Sequence, residues 1–130
     1  MRPLLVAIAL LLTAAAAQAA WDPQAFSTED TLEFLTVEDG EEHWSTVWLV
    51  VIDGQVYLRL GSRAAERFEG SATKPKTKIR IAGQTYDDVT GESAPDMAEK
   101  VNAAMADKYS TDIFVRYMAH PLTLRLVPAP

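Results

Sequence analysis

Between Trp44 and Leu60 two kinds of side chain alternate with a period of two, and the alternation is interrupted once, by Asp53-Gly54. An Asp-Gly pair between runs of β-branched, aromatic and aliphatic residues is a strong short-range hairpin signal. A two-residue turn there sets Ile52 opposite Gln55, Val51 opposite Val56, Leu49 opposite Leu58 and Val47 opposite Leu60. One face then carries Val47, Leu49, Val51, Val56, Leu58 and Leu60, and is aliphatic throughout. The other carries Trp44, Thr46, Trp48, Val50, Tyr57 and Arg59, with Arg63 just beyond. Upstream, the alternation of Leu32 and Phe34 with Thr31, Glu33 and Leu35 predicts another strand. A second Asp-Gly turn at Asp39-Gly40 pairs Phe34 with Ser45, Leu32 with Val47 and Leu35 with Trp44. Both turns assign Leu32 and Phe34 to the same aliphatic face, which predicts a three-stranded meander.

The remaining elements are read the same way. Ser27 with Asp30 three residues later suggests a short helical turn. Ser62 can cap a short helix through Phe68, and Glu69 to Thr77, with Gly70 and Pro75, reads as a loop. Lys78 to Ala82 alternates with Ile79 and Ile81 inward, Gly83-Gln84 offers a turn, and Thr85 to Thr90 is its antiparallel partner. Ser93, Pro95 and Asp96 mark the start of a helix on which Met97, Val101, Ala104, Met105 and Lys108 share a face. Ser110 to Ala119 suits a second short helix, ended by His120-Pro121. Leu122 to Val127 is a final strand, with Leu122, Leu124 and Leu126 on one side.

Composition changes this picture at the N-terminus. Met1-Arg2-Pro3, an apolar run from Leu4 to Ala17 and the small-x-small pattern Ala17-Gln18-Ala19 match a cleaved Sec-type signal over residues 1–19. The run falls short of the ~20 apolar residues of a bilayer span, and an uncleaved N-terminal anchor is the competing reading. The mature chain, residues 20–130, is one domain of about 110 residues, expected in the periplasm or secreted, with no stable membrane insertion after cleavage. The 130 residues contain no cysteine, so disulfides, thiolate catalysis and cysteine-ligated zinc are excluded. Net charge is -6, and an acidic domain makes a poor partner for nucleic acid.

Acid–base and metal chemistry leave little trace. His43 and His120 stand far apart with no ligand-spaced carboxylate, so no metal site is expected. Gly-x-Ser-x-Gly elbows, phosphate loops and dinucleotide fingerprints are absent, and no catalytic residue can be named. What remains is the mixed face of the central hairpin. Its aromatic surface and guanidinium groups suit a planar anionic ligand, whereas Arg59 lying over Trp48 is the plainer reading of the same pattern. Likewise the free N–H groups after Ser62, near Arg59 and Arg63, suit a phosphate, or form an ordinary capped turn with solvated arginines.

The order of elements carries a resemblance. Trp48, Val50, Asp53-Gly54, Tyr57, Arg59, Arg63, Phe68, Ile79-Arg80, Lys108-Tyr109 and Leu124-Arg125-Leu126-Val127 together resemble a small family of unknown function within the flavin-binding split β-barrel group. That group is similar to pyridoxamine-phosphate oxidases and deazaflavin-dependent nitroreductases. The resemblance runs from about Phe26 to Val127 and implies an α+β fold, a six-stranded antiparallel split β-barrel with two or three short helices, assembled as a homodimer. It implies flavin mononucleotide or deazaflavin as cofactor, with Arg59, Ser62, Arg63 and Lys78 or Arg80 on the phosphate side and Trp48 and Tyr57 flanking the ring. The expected function is binding of a flavin-like or other planar anionic ligand, extending to a reductase in which the cofactor brings the reactivity. The alternative is a binding or interaction module that has lost its cofactor, and haem is a third ligand the barrel type can accept, although neither histidine looks well placed to ligate it.

Overall fold

A computed structural model describes residues 20–112 and 119–130, and the expected signal segment and most of the expected helix at Ser110 to Ala119 lie outside the described residues. The strands are β1 (Thr31–Glu38), β2 (Glu41–Trp48), β3 (Val50–Ile52), β4 (Gln55–Leu60), β5 (Lys76–Ile81), β6 (Gln84–Ser93) and β7 (Leu122–Val127). The helices are α1 (Pro23–Phe26), α2 (Ser62–Glu69) and α3 (Ala98–Lys108), the last preceded by a 3-10 turn at Pro95–Met97. All strand pairs are antiparallel, in the order β2-β1-β5-β6-β7-β4-β3.

Both Asp-Gly turns form as the sequence requires. Asp39 and Gly40 have φ of 50° and 77°, Asp53 and Gly54 have 51° and 74°, the doubly positive pattern of hairpin turns matched to strand twist. The pairs Phe34–Ser45, Leu32–Val47 and Leu35–Trp44 are present, as are Val51–Val56 and Ile52–Gln55. Among the described residues the expected six strands are seven, because the long strand after Asp39-Gly40 changes partner at Leu49. Up to Trp48 it pairs with β1; from Val50 it pairs with β4. Val47 therefore meets Leu32 and not Leu60, and Val50–Tyr57 is the last β3–β4 pair. Since β2 and β3 are the two edges of the sheet yet adjacent in the chain, this bend curls the sheet into a barrel split between β2 and the end of β4.

Other boundaries move for local reasons. The first helical turn is capped by Asp22, whose carboxylate accepts from the Ala25 N–H at 3.3 Å, and Ser27 sits at its C-terminus. The β5–β6 turn is Ala82-Gly83, not Gly83-Gln84, with φ of 52° and 75°; its type I′ geometry places an alanine in the left-handed region. Gly61, not Ser62, is the residue before α2, and no side chain caps that helix.

Two cores result. Inside the barrel lie Leu32, Phe34, Leu49, Val56, Leu58, Leu60, Ile79, Val89, Leu124 and Leu126, with Phe26 at one end and Phe68 of α2 inserted from outside. Burial of a phenylalanine contributes about 1.5–3 kcal/mol, and Gly91 leaves room for this one: a Cβ there would meet two Phe68 ring carbons at 3.0 Å. The second core lies on the outer face of β3 and β4, where Val50 and Tyr57 pack under Val101, Met105 and Tyr109. The helical stripe read from the sequence thus covers part of the mixed face.

Candidate functional site

The break at Leu49 removes its backbone groups from regular strand pairing, and Leu49 is 0 % exposed. Buried backbone donors and acceptors need partners. They come from Lys108-Tyr109 at the end of α3. The Leu49 N–H donates to the Tyr109 hydroxyl at 3.1 Å, and that hydroxyl lies within donating distance of the carbonyls of Leu49 (2.8 Å) and Asp30 (2.7 Å). The Lys108 ammonium donates to the carbonyls of Leu49 at 3.0 Å and Glu29 at 2.5 Å. Burial lowers the Lys108 pKa from its ordinary value, against the pull of Asp30 and Glu29, and burial raises that of Tyr109. The Tyr109 ring also stacks on Trp48, with centroids 4.1 Å apart and planes 6° from parallel.

Beside this clasp, where β2 has left β4, a recess of about 270 Å³ opens. Thr31, Thr46, Trp48, Arg59, Gly61 and His120 line it, together with Val47. Trp48 offers an indole already backed by Tyr109. Arg59, 5 % exposed, sits in a dense polar contact: one Nη2 hydrogen bonds and ion-pairs with the Asp112 carboxylate, and Nη1 donates to the Asn102 amide oxygen at 3.0 Å. Asp112 is 1 % exposed, and among the described residues its second oxygen, Oδ2, has no hydrogen-bond partner. The guanidinium charge at the floor is therefore locally balanced. Gly61 leads directly from the recess to the uncapped start of α2, where Ser62 and Arg63 are exposed.

The structure brings Trp48 and Arg59 together at this recess and sets Ser62 and Arg63 next in the chain after its rim. Tyr57 is elsewhere: it is 3 % exposed in the second core, its hydroxyl bonded to Gln55 and Arg125 at 3.1 Å each. Lys78 and Arg80 project from β5. Lys78 faces Asp87 at 3.4 Å, while Arg80 faces Glu33 at 3.7 Å and lies over the Trp44 ring at 3.6 Å. Arg59, expected over Trp48, pairs instead with Asp112 and Asn102, and Trp48 stacks on the Tyr109 phenol. A larger hollow, about 460 Å³, lies along Leu35, Val37, Lys76 and Lys78. It also contains Glu42, Asp87 and Asp88, which offset its cations and make it a poor anion site. In the sequence Asn102 and Asp112 carry no motif, and His120 reads only as a helix end and as a metal or haem ligand without a partner at ligand spacing. Among the described residues, no cluster of three His, Asp or Glu could hold a metal ion, and no helix is long and apolar enough to cross a membrane.

A curled antiparallel sheet whose strand after Asp39-Gly40 changes partner at Leu49, closed by short helices, defines the split β-barrel fold. The chain belongs to the family described as an uncharacterized protein conserved in bacteria (DUF2255), whose model matches residues 24–126. Among solved structures it is similar to HutZ, the haem storage protein of Vibrio cholerae, with a TM-score of 0.59 and 16 % identity over 82 % of this chain and 87 % of that one. It is also similar to an FAD-binding protein of Mesorhizobium loti, with a TM-score of 0.57 and 11 % identity over 82 % and 86 % of the two chains. No curated protein sequence matches the chain.

Proposed function

We propose that this chain is a ligand-binding split barrel whose ligand is a planar anionic cofactor of the flavin class, with its ring against Trp48 and its phosphate at the start of α2. The observation that carries the reading is the recess itself: an aromatic plane and a guanidinium share one opening with Gly61, the residue that leads into the start of α2, which no side chain caps. Helix N-termini favour anions through their unpaired N–H groups and the helix dipole. Exposed Arg63 adds mobile positive charge there, and Ser62 a hydroxyl. The fold similarity to proteins named for FAD and haem supports a planar ligand in general.

Fit favours partial cover by one chain. Pockets that enclose small molecules typically hold about 300–1,000 Å³, and the recess falls just below that range, so a second copy would complete the cover in a homodimer. A bound flavin supplies hydride and single-electron chemistry; Trp48 would orient its ring, and Arg63 and Ser62 would hold its phosphate. A reductase is the catalytic form of this reading, and a binding module without a cofactor its non-catalytic form. The 1–19 leader supports placing either form outside the cytoplasm. Haem is the second reading, favoured by one observation: His120 lines the same recess.

The test is the visible spectrum of the purified protein, followed by titration with flavin mononucleotide and haemin. Flavin fluorescence is expected to quench on binding. Arg63→Ala is expected to weaken flavin mononucleotide about tenfold, the loss of one charge-assisted contact of ~1.4 kcal/mol. A colourless protein that binds neither compound would overturn the proposal, and haemin binding lost in His120→Ala would transfer it to haem.

A further inference from the structure

We infer that the larger hollow, along Leu35 and Val37, is a second binding site, for a short zwitterionic peptide whose terminal ammonium meets Glu42 and whose terminal carboxylate meets Lys76. The hollow shares no lining residue with the recess, and the inference is independent of the flavin reading.

The hollow opens where β1 and β5 part. Their pairing is limited to Glu33–Arg80 and Phe34–Ile79. Beyond it, β1 finds other partners for its backbone. The Leu35 carbonyl accepts from the Thr77 hydroxyl at 2.7 Å, and the Val37 N–H donates to Ser71 Oγ at 3.0 Å. The Val37 carbonyl accepts from the Ala72 N–H at 2.8 Å. Side chains and a loop thus satisfy groups that a ladder would have used. On the far side of β5, β6 carries a bulge: between the pairs Thr77–Val89 and Ile79–Tyr86, Asp87 and Asp88 together oppose Lys78. Successive side chains of an unbroken strand point to opposite faces. Here both carboxylates line one hollow, with Asp88 at a φ of 53°. Bulges re-aim side chains in this way and are frequent beside binding sites.

Charge then defines the ligand. Glu42 stands on β2, apolar Leu35 and Val37 on β1, Lys76 and Lys78 on β5, and the two aspartates on β6. Lys78 faces Asp87 at 3.4 Å. Glu42 and Lys76 are exposed, and among the described residues neither has an ion-pair partner. A hollow that holds both signs disfavours a simple anion or cation and suits a molecule that carries both. Its length follows from the sheet: neighbouring strands lie ~4.8 Å apart, so Glu42 and Lys76, two strands from each other, are separated by ~10 Å. An extended chain advances ~3.3 Å per residue, so about three residues join the two charges. A free amino acid is too short to meet both. The volume of about 460 Å³ suits a ligand of this size, and an apolar middle side chain would rest on Leu35 and Val37.

The experiment titrates the full chain with Ala-Val-Ala, its N-acetyl form, its C-terminal amide, the doubly capped peptide and free valine, at low ionic strength, reading backbone amide shifts of Val37 and Thr77 by NMR. Each single cap is expected to weaken binding about threefold, the scale of one exposed ion pair, and valine is expected to bind more weakly than any singly capped peptide. Both side chains to be changed are exposed, so the variants should keep the fold. In Glu42→Gln the acetyl cap should lose its effect while the amide keeps it, and in Lys76→Gln the reverse. That crossed pattern supports the assignment of the two ends. No binding of the free peptide would overturn the inference. So would equal affinity of the free and doubly capped forms, the behaviour expected of an internal protein segment, or caps whose effects are unchanged in both variants.

Discussion

Tyr109→Phe isolates the clasp at the split, because it removes one oxygen and keeps the ring that stacks on Trp48. In the wild type the hydroxyl accepts from the Leu49 N–H and can donate to the Leu49 or Asp30 carbonyl. After the change, the Leu49 carbonyl keeps the Lys108 ammonium at 3.0 Å, but the Leu49 N–H, in a residue 0 % exposed, has no replacement. A buried unsatisfied donor costs about 1–3 kcal/mol, and the donated bond adds about 0.5–1.5 kcal/mol. The expected loss is therefore about 1.5–4.5 kcal/mol, a large share of the ~5–15 kcal/mol that stabilises an ordinary domain. Urea unfolding followed by tryptophan fluorescence should show the midpoint falling with the slope unchanged, since the surface exposed on unfolding is the same. Thermal melting should fall by roughly 4–8 °C per kcal/mol. A loss below about 0.5 kcal/mol, the usual range for uninvolved surface positions, would mean that the partner switch at Leu49 is held by sheet curvature and not by Tyr109.

Two further outcomes follow from the same structure. Above its ordinary pKa of 10.0, Tyr109 keeps its proton in the folded chain and loses it in the unfolded one, as does Tyr86, so both make stability fall as pH rises past 10.0. Lys108 acts oppositely: between its lowered folded value and 10.5 the unfolded chain holds the extra proton, so stability rises with pH there. Unfolding midpoints measured from roughly pH 8 to 11 should thus fall less steeply above pH 10 in Tyr109→Phe, and equal slopes in both proteins would contradict the shift. Ala82→Gly should raise stability by up to about 1 kcal/mol, since Ala82 holds φ of 52° and glycine adopts that region freely; an unchanged or lower midpoint would show that the turn is not strained.

What could be read in advance was what adjacent residues decide together. Each Asp-Gly turn is chosen by two neighbouring φ angles, and the alternation on either side then fixes every partner for as far as the hairpin runs, which is why the β1–β2 register is legible in full. The helical stripe of Met97, Val101 and Met105 is equally local. The Arg59 ion pair is not: Asn102 and Asp112 are 43 and 53 residues away along the chain, and each looks like an ordinary polar residue of a helix or loop. The Ala82-Gly83 turn lies one residue before the Gly83-Gln84 that glycine alone suggests, because type I′ geometry accepts a small residue at its first position and needs positive φ at both.

The partner switch at Leu49 also could not be found by extending the period, because the pleat continues unbroken through it. Trp48 and Val50 stay on the outer face and Leu49 stays inside; only the strand opposite them changes. Had the hairpin continued as alternation suggests, Val47 would sit against Leu60, β2 would seal β4, and Trp48 would lie beside Arg59 on a closed surface. Instead β2 turns to β1, the β4 edge beyond Tyr57 is released, and the two residues line an opening. The signal for this lies about sixty residues downstream, in Lys108-Tyr109, two polar groups able to satisfy the backbone of a residue that has left its ladder. On this account the recess and the clasp are one feature. Loosening the clasp should alter ligand affinity at the recess as well as stability, whereas weakening a distant part of the barrel core should lower stability alone.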